Sequence, residues 1–471
     1  MTTPRLSTTG THPEPTPGAP STQAGQRVPR PRSTAWVPGH AAILAGGLGV
    51  GLLALGLAIS RPDVAVLGLP IVLGLAWGWL NRPRGVPHTE LSPTSAAGRD
   101  GAARAIWQVS AGPGVAVVRL RVSTAGYQEA QAVVAAGPDR SVPMSLRTAR
   151  TGVLPVFRVD HISAGHDELL ATEPARSGPL HLVVRPASRP MRQLPLPFRL
   201  QGLTGPHPSR RVGEGLELHD VHEFTPGDRL RRIDWKVSAR RSLDTESGKL
   251  GQLYVRRTLA NAEASVMLVV DSRDDVGPDV ETWSGGSPTD MRHATSVDLA
   301  REATTSIAEH LLHRGDRVGL DDLGLRSRPL APAAGRKHLE RITQRLARIA
   351  PEGSPRPRQR SPQLSSGAMA VIFSTFLDDE AGTVAALWRS QGHRVIAVDV
   401  LPEVFTDRLD PFALASYRLI RLERGLRLAD LRAQGVDVVH WVGDPDGHGT
   451  AAGVDESLLL AAAPRSRGGR G

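Results

Sequence analysis

Two long apolar runs constrain the fold of this chain more than any other feature. Residues 41–60 read AAILAGGLGVGLLALGLAIS and residues 64–80 read VAVLGLPIVLGLAWGWL, and neither run contains a charged residue. At the α-helical rise of about 1.5 Å per residue, each run can cross the hydrocarbon of a bilayer, which is about 30 Å thick. Only residues 61–63 separate the runs. The pattern therefore predicts a transmembrane helical hairpin over residues 41–80.

Two other interpretations of the hairpin are disfavoured. A soluble buried hairpin normally carries a polar stripe, and these runs have none. A signal peptide is shorter and begins nearer the N-terminus than residue 41. The pattern GGLGVG at residues 46–51 resembles a dinucleotide-binding loop, but no strand precedes it. Close packing of small residues between the two helices explains it better.

The charges beside the hairpin predict its orientation. Arginines flank it on both sides: Arg27, Arg30, Arg32, Arg82 and Arg84. Positive residues favour the cytoplasmic side of a membrane, so we expect both flanks to be cytoplasmic. Tryptophans lie near the expected interfaces: Trp36, Trp77 and Trp79. The chain is thus predicted to be integral to the cell membrane, with its N-terminus and its C-terminal domains in the cytoplasm.

Composition narrows the possible functions. The chain has 471 residues, 40% of them hydrophobic, which is enough for two or three folded units. It has no cysteine, so disulfides, thiolate metal sites and cysteine nucleophiles are excluded. The formal net charge of +10 suits an anionic membrane surface, an acidic protein or a nucleic acid. Charge by itself does not choose among these partners.

Shifts in composition along the chain predict seven segments. The terminal segments are rich in Pro, Gly, Ser or Arg, whereas the central ones carry apolar runs of strand or helix length. The predicted segments are a disordered tail (1–40), the transmembrane hairpin (41–80), a linker (81–103), a β-sandwich-like domain (104–200), a segment with an unusual charge pattern (201–258), an α/β domain (259–445) and a flexible tail (446–471).

The α/β domain is predicted from alternating strands and helices. ASVMLVVD at 264–271, MAVIFST at 369–375 and RVIAVDV at 394–400 are buried strands, and amphipathic segments separate them. Such alternation produces a parallel sheet with helices on both faces. Functional loops of these sheets lie at the carboxyl ends of the strands.

The most unusual segment of the chain is HDVHEFTPGDRLRRIDWKVSARRS at 219–242. Residues 229–241 contain six Lys or Arg, and Asp234 lies among them. Residues 225–228, TPGD, predict a tight turn that caps a short helix. The apolar residues Leu230, Ile233 and Val237 are spaced to face inward. Trp235 is expected to cover the sheet edge, and Asp234 to pair with Arg231 or Lys236.

Three roles remain open for this segment. It can be a structural clasp between the β and α/β domains, or a surface for an acidic partner or a phosphate. Nucleic-acid binding is not expected, because interleaved aromatic residues are nearly absent. Residues His219, His222 and Glu223 suggest a metal pair, but no third ligand is evident, so a solvated or core-edge role is favoured.

The stretch GEGLELHDVHEFTPGDRLRRIDWKVSARR, followed by LYVRR and a strand that ends in Asp, resembles the signature of domain of unknown function family 58. The matching residues are Gly215, Glu223, Pro226, Gly227, Asp228, Arg232, Ile233, Asp234, Trp235, Ala239 and Arg240. His222 and Phe224 depart from the Arg and Tyr that are usual there. The resemblance extends over about residues 104–445 and implies a von Willebrand factor A-like (Rossmann-like) α/β domain behind a transmembrane hairpin. It also implies an association with MoxR-type AAA+ ATPases.

The resemblance raises the question of a metal site. Von Willebrand factor A-like domains often bind Mg²⁺ through an Asp-x-Ser-x-Ser loop after the first strand. Here Asp271 is retained, Arg273 replaces the first hydroxyl and Asp275 the second, and Thr375 stands where a later Asp is expected. A guanidinium in the ligand ring would supply a positive charge and repel Mg²⁺. Asp271 and Asp275 are therefore candidate ligands of a degenerate site, and no cofactor is predicted.

These observations favour a membrane-anchored interaction module without enzymatic activity. The predicted binding or interdomain residues are Asp228, Arg229, Arg232, Asp234, Trp235 and Arg240. The expected partners are a MoxR-type AAA+ ATPase, by family resemblance, and the membrane. Two alternatives are an Mg²⁺-dependent, adhesion-type ligand-binding domain that uses Asp271 and an uncharacterised hydrolase. No catalytic constellation is recognised in the sequence.

Overall fold

The structure is a computed structural model. It describes most of the residues that lie between the two predicted tails. It describes residues 36–84, 87–94, 102–201, 205–242, 251–280, 283, 291–324, 328–351, 363–407 and 409–441. The predicted C-terminal tail, 446–471, and residues 1–35 of the predicted N-terminal tail lie outside the described residues. The architecture is mixed α/β.

Two apolar helices form the predicted hairpin. They are α1 (His40–Ala58) and α2 (Pro62–Leu80). Pro62 occupies the first turn of α2, where its missing N–H removes no helical hydrogen bond. Both helices are long and apolar enough to cross a membrane, and only 11% and 6% of their most apolar windows are buried in the protein. A core helix of a soluble protein would be mostly buried. The orientation in the membrane stays a prediction.

Glycines let the two helices approach each other closely. A Cβ atom on Gly56 would lie 2.4 Å from the backbone nitrogen of Ala65, and one on Gly68 would lie 2.6 Å from the carbonyl oxygen of Gly49. Such distances leave no room for any other residue type. Gly49 belongs to the GGLGVG run, so at this position the run serves helix packing.

The open end of the hairpin is attached to a β-sheet at two points. Strand β1 (Trp36–Pro38), just before α1, pairs antiparallel with strand β9 (Leu170–Thr172). The Gly39 backbone N–H donates to the carbonyl oxygen of Leu169 at 2.9 Å. After α2, the Arg84 N–H donates to the Pro113 carbonyl at 3.3 Å. The helices therefore continue directly into the folded β region.

The β region consists of three sheets. Its remaining strands are β2 (His88–Pro93), β3 (Ala102–Ser110), β4 (Val115–Ser123), β5 (Ala130–Ala135), β6 (Arg140–Arg147), β7 (Gly152–Val156), β8 (Arg158–Gly165), β10 (Ala175–Ser177) and β11 (Leu180–Val184). The sheet orders are β2-β3-β6, β1-β9-β8-β4-β5 with β10 on β8, and β11-β7. Trp107, Leu120 and Phe157 lie in one shared core.

One strand of the β region lies in the segment predicted as a linker. Strand β2 pairs with β3, and its alternate residues Thr89 and Leu91 are buried. This two-residue period is typical of a half-buried strand. The β region therefore begins before residue 104, because residues 88–93 contribute to its core.

The unusually charged segment forms a two-stranded ribbon and a short helix. Strand β12 (His207–Glu223) pairs antiparallel with β13 (Tyr254–Ala262), with three register shifts. Helix α3 (Trp235–Ser242) packs against β13. At the base of the ribbon, the buried His207 Nε2 lies 3.0 Å from Asp316 Oδ1. That contact anchors the ribbon to the α/β region.

A six-stranded sheet forms the α/β region. Its strands are β14 (Ser265–Val270), β15 (Arg317–Asp322), β16 (Leu330–Ala333), β17 (Met369–Ser374), β18 (Arg394–Asp399) and β19 (Asp437–His440), in the order β16-β15-β14-β17-β18-β19. The sheet is not wholly parallel as predicted, because β16 runs antiparallel to β15. A parallel neighbour needs a crossover of a dozen or more residues, and residues 323–329 are too few.

Helices cover both faces of this sheet. They are α4 (Ser296–His313), α5 (Arg336–Leu346), α6 (Glu380–Ser390) and α7 (Pro411–Ala433). Leu268 and Val270 of β14 share a core with α4 and α5, whereas Met267 and Val269 share a core with α6 and α7. The alternating side chains of one buried strand thus serve two cores.

A buried polar network joins the β region to the α/β region. The Thr151 backbone N–H and hydroxyl both donate to Asp298 Oδ1 at 2.8 Å. Arg150 Nε lies 2.6 Å from Asp298 Oδ2, and Arg301 Nη1 donates to the Thr151 carbonyl at 2.7 Å. Asp298 also forms a capping box with Thr295 at the start of α4. One carboxylate therefore stabilises a helix terminus and the contact between the two regions.

Candidate functional site

Four polar residues meet at the carboxyl edge of the large sheet. Asp271 follows β14, and Asp322, Ser374 and Asp399 are the last residues of β15, β17 and β18. The carboxyl ends of neighbouring parallel strands lie at the same edge. Strand order reverses between β14 and β17, where open α/β sheets commonly bind ligands. This edge is the first place to look for a functional site.

The guanidinium of Arg273 occupies the centre of this edge. Its Nε and Nη2 donate to the two oxygens of Asp271, each at 2.8 Å. Its Nη1 and Nη2 donate to the two oxygens of Asp378 at 2.6 and 3.0 Å, and Nη1 also donates to Glu380 Oε2 at 2.7 Å. The Arg273 side chain is only 5% exposed. Three carboxylates therefore converge on one buried cation.

The pKa of Arg273 reflects this arrangement. Burial by itself would lower the pKa, but hydrogen bonds and attraction from Asp271 and Asp378 outweigh it and raise the pKa above its usual value. The guanidinium is thus charged at every physiological pH. Charge-assisted, bidentate pairs of this kind are strong and fix geometry.

The residues at this edge do not fit an Mg²⁺ ion. Both oxygens of Asp271 are taken by Arg273, and the Ser374 hydroxyl donates to Asp271 Oδ2 at 2.7 Å. The other candidate ligand, Asp275, lies 3.2 Å from Arg150 Nη2 instead. Among the described residues, no group of three or more His, Asp or Glu side chains is arranged to hold a metal ion. The guanidinium therefore occupies the carboxylate oxygens that a hard cation would need.

Two further carboxyl groups beside Arg273 have raised pKa values. Burial raises the pKa of Asp322 to about 6, although the Ser272 hydroxyl donates to Asp322 Oδ1 at 2.7 Å. Burial, followed by repulsion from Asp271 and Asp378, raises the pKa of Asp274. Burial is the main cause for both groups, so both carboxyl groups bind a proton more readily than an exposed aspartate does.

A second ion-pair cluster lies at the end of β18. The Nδ1 atom of His440 is 2.9 Å from Asp399 Oδ2, and Arg424 of α7 pairs with Asp399 Oδ1. Arg424 Nε also donates to the Thr375 carbonyl at 2.7 Å. Burial would raise the pKa of Asp399, but His440 and Arg424 lower it overall. The sequence analysis did not identify this cluster. Asp399 ends a buried strand, as Asp271 does, and that position could have indicated it.

The turn before α3 is held by Asp228. Its Oδ2 accepts hydrogen bonds from the backbone N–H and the hydroxyl of Thr225, both at 2.9 Å, and lies 3.0 Å from His222 Nε2. The hydrogen bond from the Thr225 backbone N–H is the main cause of the lowered pKa of Asp228, and the bond from the Thr225 hydroxyl is the second. Gly227 adopts a φ of 110°, which L side chains rarely reach. Asp228 thus organises the predicted tight turn, but it does not cap a helix as expected, because its oxygen bonds back to Thr225 and the cap of α3 is Asp234.

Asp234 begins α3. Its Oδ1 accepts from the backbone N–H groups of Lys236 and Val237, both at 3.1 Å. Its ionic partner is Arg256 of β13 at 2.8 Å, and not Arg231 or Lys236 as expected. Arg256 is the partner because the β-bridge between Ile233 and Val255 places α3 beside β13. The hydrogen bond from Val237 is the main cause of the lowered pKa of Asp234.

Two apolar residues of this segment are exposed rather than inward-facing. Trp235 is 61% exposed and Leu230 is 69% exposed, while Ile233 is buried against the ribbon. The spacing of the apolar residues predicted a continuous helix from residue 230, but residues 230–232 form a separate 3₁₀ turn. The break rotates Leu230 away from the core. Trp235 therefore does not cover the sheet edge.

The basic residues of the segment are only partly neutralised. Arg229 pairs with Glu214, and Arg231 and Arg232 lie 3.6 and 3.7 Å from the same carboxylate. Lys236 and Arg240 are exposed and have no carboxylate partner among the described residues. The six residues predicted as a binding or interdomain group lie between the two strands of the ribbon, in the turn, the 3₁₀ turn and α3.

The comparison with protein families agrees with the signature. Residues 220–404 match the family described as Protein of unknown function DUF58. The match covers the ribbon turn, α3 and strands β14 to β18, and it is narrower than the expected 104–445. Neither the curated proteins nor the solved structures give any match.

The DUF58 match contains both groups of residues described above. Asp228, Asp234, Trp235 and Arg240 lie within it, as do Arg273 and its three carboxylates. Arg424 and His440 lie outside it. The Arg273 cluster and the ribbon are therefore features of the DUF58-like part of the chain.

Proposed function

We propose that this chain is a membrane-anchored protein-interaction module whose ribbon segment binds an acidic partner protein. Residues 207–262 form the ribbon segment. The observation that carries the proposal is its unneutralised charge: Lys236 and Arg240 are exposed on α3, beside the exposed Trp235, and neither has a carboxylate partner in the described part of the chain. Arg and Trp are the side chains most enriched at the energetic centres of protein interfaces.

The carboxyl edge of the sheet supports the same proposal. Ligand-binding edges of α/β sheets keep polar groups available, but here the central carboxylates are satisfied by Arg273 within the chain. This arrangement disfavours the Mg²⁺-dependent alternative. The hydrolase alternative gains no specific support from the described side chains.

The partner we propose is a MoxR-type AAA+ ATPase, with this chain as its adaptor or client in the assembly or maturation of a complex. The family resemblance supports this choice. We also propose that the α/β region is von Willebrand factor A-like. Its strand order and the antiparallel β16 support that assignment.

Co-purification tests the proposed function. The detergent-solubilised chain is used to capture the MoxR-type ATPase of its host at low and high salt. We expect capture to weaken at high salt, because exposed charges are screened beyond about 8 Å at physiological ionic strength. The double substitution Lys236→Glu and Arg240→Glu, one helical turn apart on α3, should abolish capture.

A matched control is available on another helix. Lys337→Glu and Arg341→Glu make the same charge change at the same spacing on exposed positions of α5. The control variant should capture the ATPase as the parent does. If both variants lose capture equally, net charge rather than the ribbon is responsible. If neither the parent nor the variants capture the ATPase, the proposed partner is wrong.

A further inference from the structure

Helix α7 presents an unpartnered apolar stripe to solvent. Four large residues of this helix are strongly exposed: Phe412 (83%), Leu419 (59%), Leu422 (68%) and Leu426 (68%). Ala415, Ala429 and Ala433 are exposed as well. Scattered exposed leucines are ordinary, but a contiguous apolar stripe on a helix marks an interaction surface.

The spacing of the stripe is that of a coiled coil. The seven residues follow one another at intervals of three and four: Phe412, Ala415, Leu419, Leu422, Leu426, Ala429 and Ala433. They therefore occupy successive a and d positions of a heptad repeat, with Phe412, Leu419, Leu426 and Ala433 at a. This pattern spans the whole of α7.

The opposite face of α7 holds the helix on the protein. Tyr417, Arg424 and Leu431 take the f positions, directly opposite the a/d seam. Leu431 lies in the core with α6, and Arg424 pairs with the buried Asp399. The a/d face therefore points away from the sheet, so a second helix can approach it without any rearrangement of the fold.

The charges beside the stripe indicate what that second helix is. One flank, at the e positions, carries Glu423 and Asp430. The other flank, at the g positions, carries Arg418 and Arg432. None of these four side chains has an ionic partner within the described ranges. One flank is acidic and the other basic, so the helix is complementary to a copy of itself.

Complementarity also fixes the orientation of the pair. In a parallel coiled coil a g residue faces the e residue five positions later on the partner. Arg418 would then face Glu423 of a second copy, twice by symmetry. An antiparallel pair would place Arg beside Arg and Glu beside Glu, which is unfavourable. A basic membrane-surface helix would not carry an acidic flank.

We propose that α7 is a self-association surface, and that two copies of this chain form a parallel, two-stranded coiled coil through residues 412–433. The inference is independent of the proposed ATPase partner. Anchoring in one membrane would raise the effective concentration of the helices, which compensates for the shortness of a three-heptad seam.

Cysteine cross-linking tests the seam directly, because the chain contains no native cysteine. Leu419→Cys and Leu422→Cys should each form disulfide-linked dimers in membranes under mild oxidation, since equivalent a or d positions meet across a parallel seam. Arg421→Cys is the matched control: it is exposed and adjacent to Leu422, but lies at a c position away from the seam. Equal cross-linking at 421 and 422 would overturn the proposal.

The orientation is tested with mixed chains. Phe412→Cys, at an a position, and Ala429→Cys, at a d position, lie about 25 Å apart along the helix at 1.5 Å per residue. Chains that carry one substitution each should therefore not cross-link with each other in a parallel pair. In an antiparallel pair a positions face d positions, so mixed disulfides between 412 and 429 would establish that arrangement and contradict the proposal.

A charge exchange provides the second test, without altering the apolar seam. Arg418→Glu should weaken dimerisation of the solubilised protein, because it places Glu beside Glu423 of the partner. The double variant Arg418→Glu and Glu423→Arg should restore it. Leu419→Glu with Leu422→Glu should weaken the dimer by a factor of at least about 10⁴, because the two chains together lose four buried leucines.

Other occupants of the stripe give different results. If residues 442–471 of the same chain cover it, the 419 and 422 cysteines will cross-link only after those residues are deleted. If the stripe lies on lipid, no cysteine position will favour dimers, because α7 of the anchored chain then faces the bilayer rather than a second copy. Either result overturns self-association through α7.

Discussion

Replacement of Arg273 by Ala should destabilise the α/β region strongly. The substitution removes the cation that pairs with Asp271, Asp378 and Glu380 and leaves the Asp271 carboxylate, 6% exposed, with the Ser374 hydroxyl as a remaining donor. Removal of one partner from a buried ion pair typically costs 3–5 kcal/mol. Asp378 and Glu380 are 47% and 27% exposed, so water can solvate them. We therefore expect a loss near the lower limit, about 3 kcal/mol.

The expected loss is large enough to measure by thermal unfolding. For a region of 150–250 residues, each kcal/mol lowers Tm by about 2–4 °C, which predicts a decrease of roughly 6–12 °C. The full detergent-solubilised chain is the sample, monitored through the melting of its α/β region.

Arg427→Ala is the control for Arg273→Ala. Arg427 pairs with Asp379, which is 78% exposed, so its loss should cost less than about 1 kcal/mol. A Tm for Arg273→Ala within 2 °C of the Arg427→Ala value, as an approximate margin for a 1 kcal/mol effect, would refute the reasoning. A stabilising response of the parent protein to Mg²⁺ would refute it as well, because it would mean that the carboxylates around Arg273 are still available to a metal ion.

Three further predictions follow from single side chains. Trp235→Ala should change the free energy of unfolding by no more than about 0.5 kcal/mol, because the indole is largely exposed; a large loss, or faster proteolysis between the β and α/β regions, would restore the clasp interpretation. Asp322→Asn should stabilise the protein by on the order of 2 kcal/mol above pH 7 and by little below pH 4. The sign follows from the folded pKa of about 6, which lies above the unfolded value of 3.8: the cost of the aspartate builds up between about pH 4 and pH 6 and is complete above pH 6. Equal effects at both pH values would contradict this. Asp298→Asn should cost about 3 kcal/mol, since Arg150 and Arg301 lose a buried counter-charge, and limited proteolysis near residue 190 should accelerate; unchanged cleavage would show that other contacts hold the regions together.

Local patterns in the sequence carried most of the fold. The apolar runs predicted the hairpin, and the strand–helix alternation predicted the mixed α/β region, because both depend on periodicities within one element. The position of β2 was missed, since its six residues lie in a stretch rich in Pro and Ser. The antiparallel β16 was missed because its direction depends on the length of a connection rather than on its own residues.

The candidate site was only partly predictable. The Asp228 turn follows from residues within a few positions of each other, and the sequence indicated it. The cap of α3 lies at Asp234 and not at Asp228, where the sequence placed it. The pairing of Asp234 with Arg256 and the exposure of Leu230 depended on where α3 packs. The Arg273 substitution was visible in the sequence, but its convergence with Asp378 and Glu380, more than 100 positions away, was not.

The sequence by itself determined the apolar hairpin, the buried strands, the signature turn and the presence of an arginine where a ligand hydroxyl is usual. The tertiary structure decided which carboxylates surround that arginine and which face of α7 remains exposed. The heptad spacing of α7 is printed in the sequence, but a helix with two apolar faces does not reveal which one the sheet buries. That choice follows from the packing of Leu431 and Arg424 against distant strands, because burial is a property of three-dimensional neighbours.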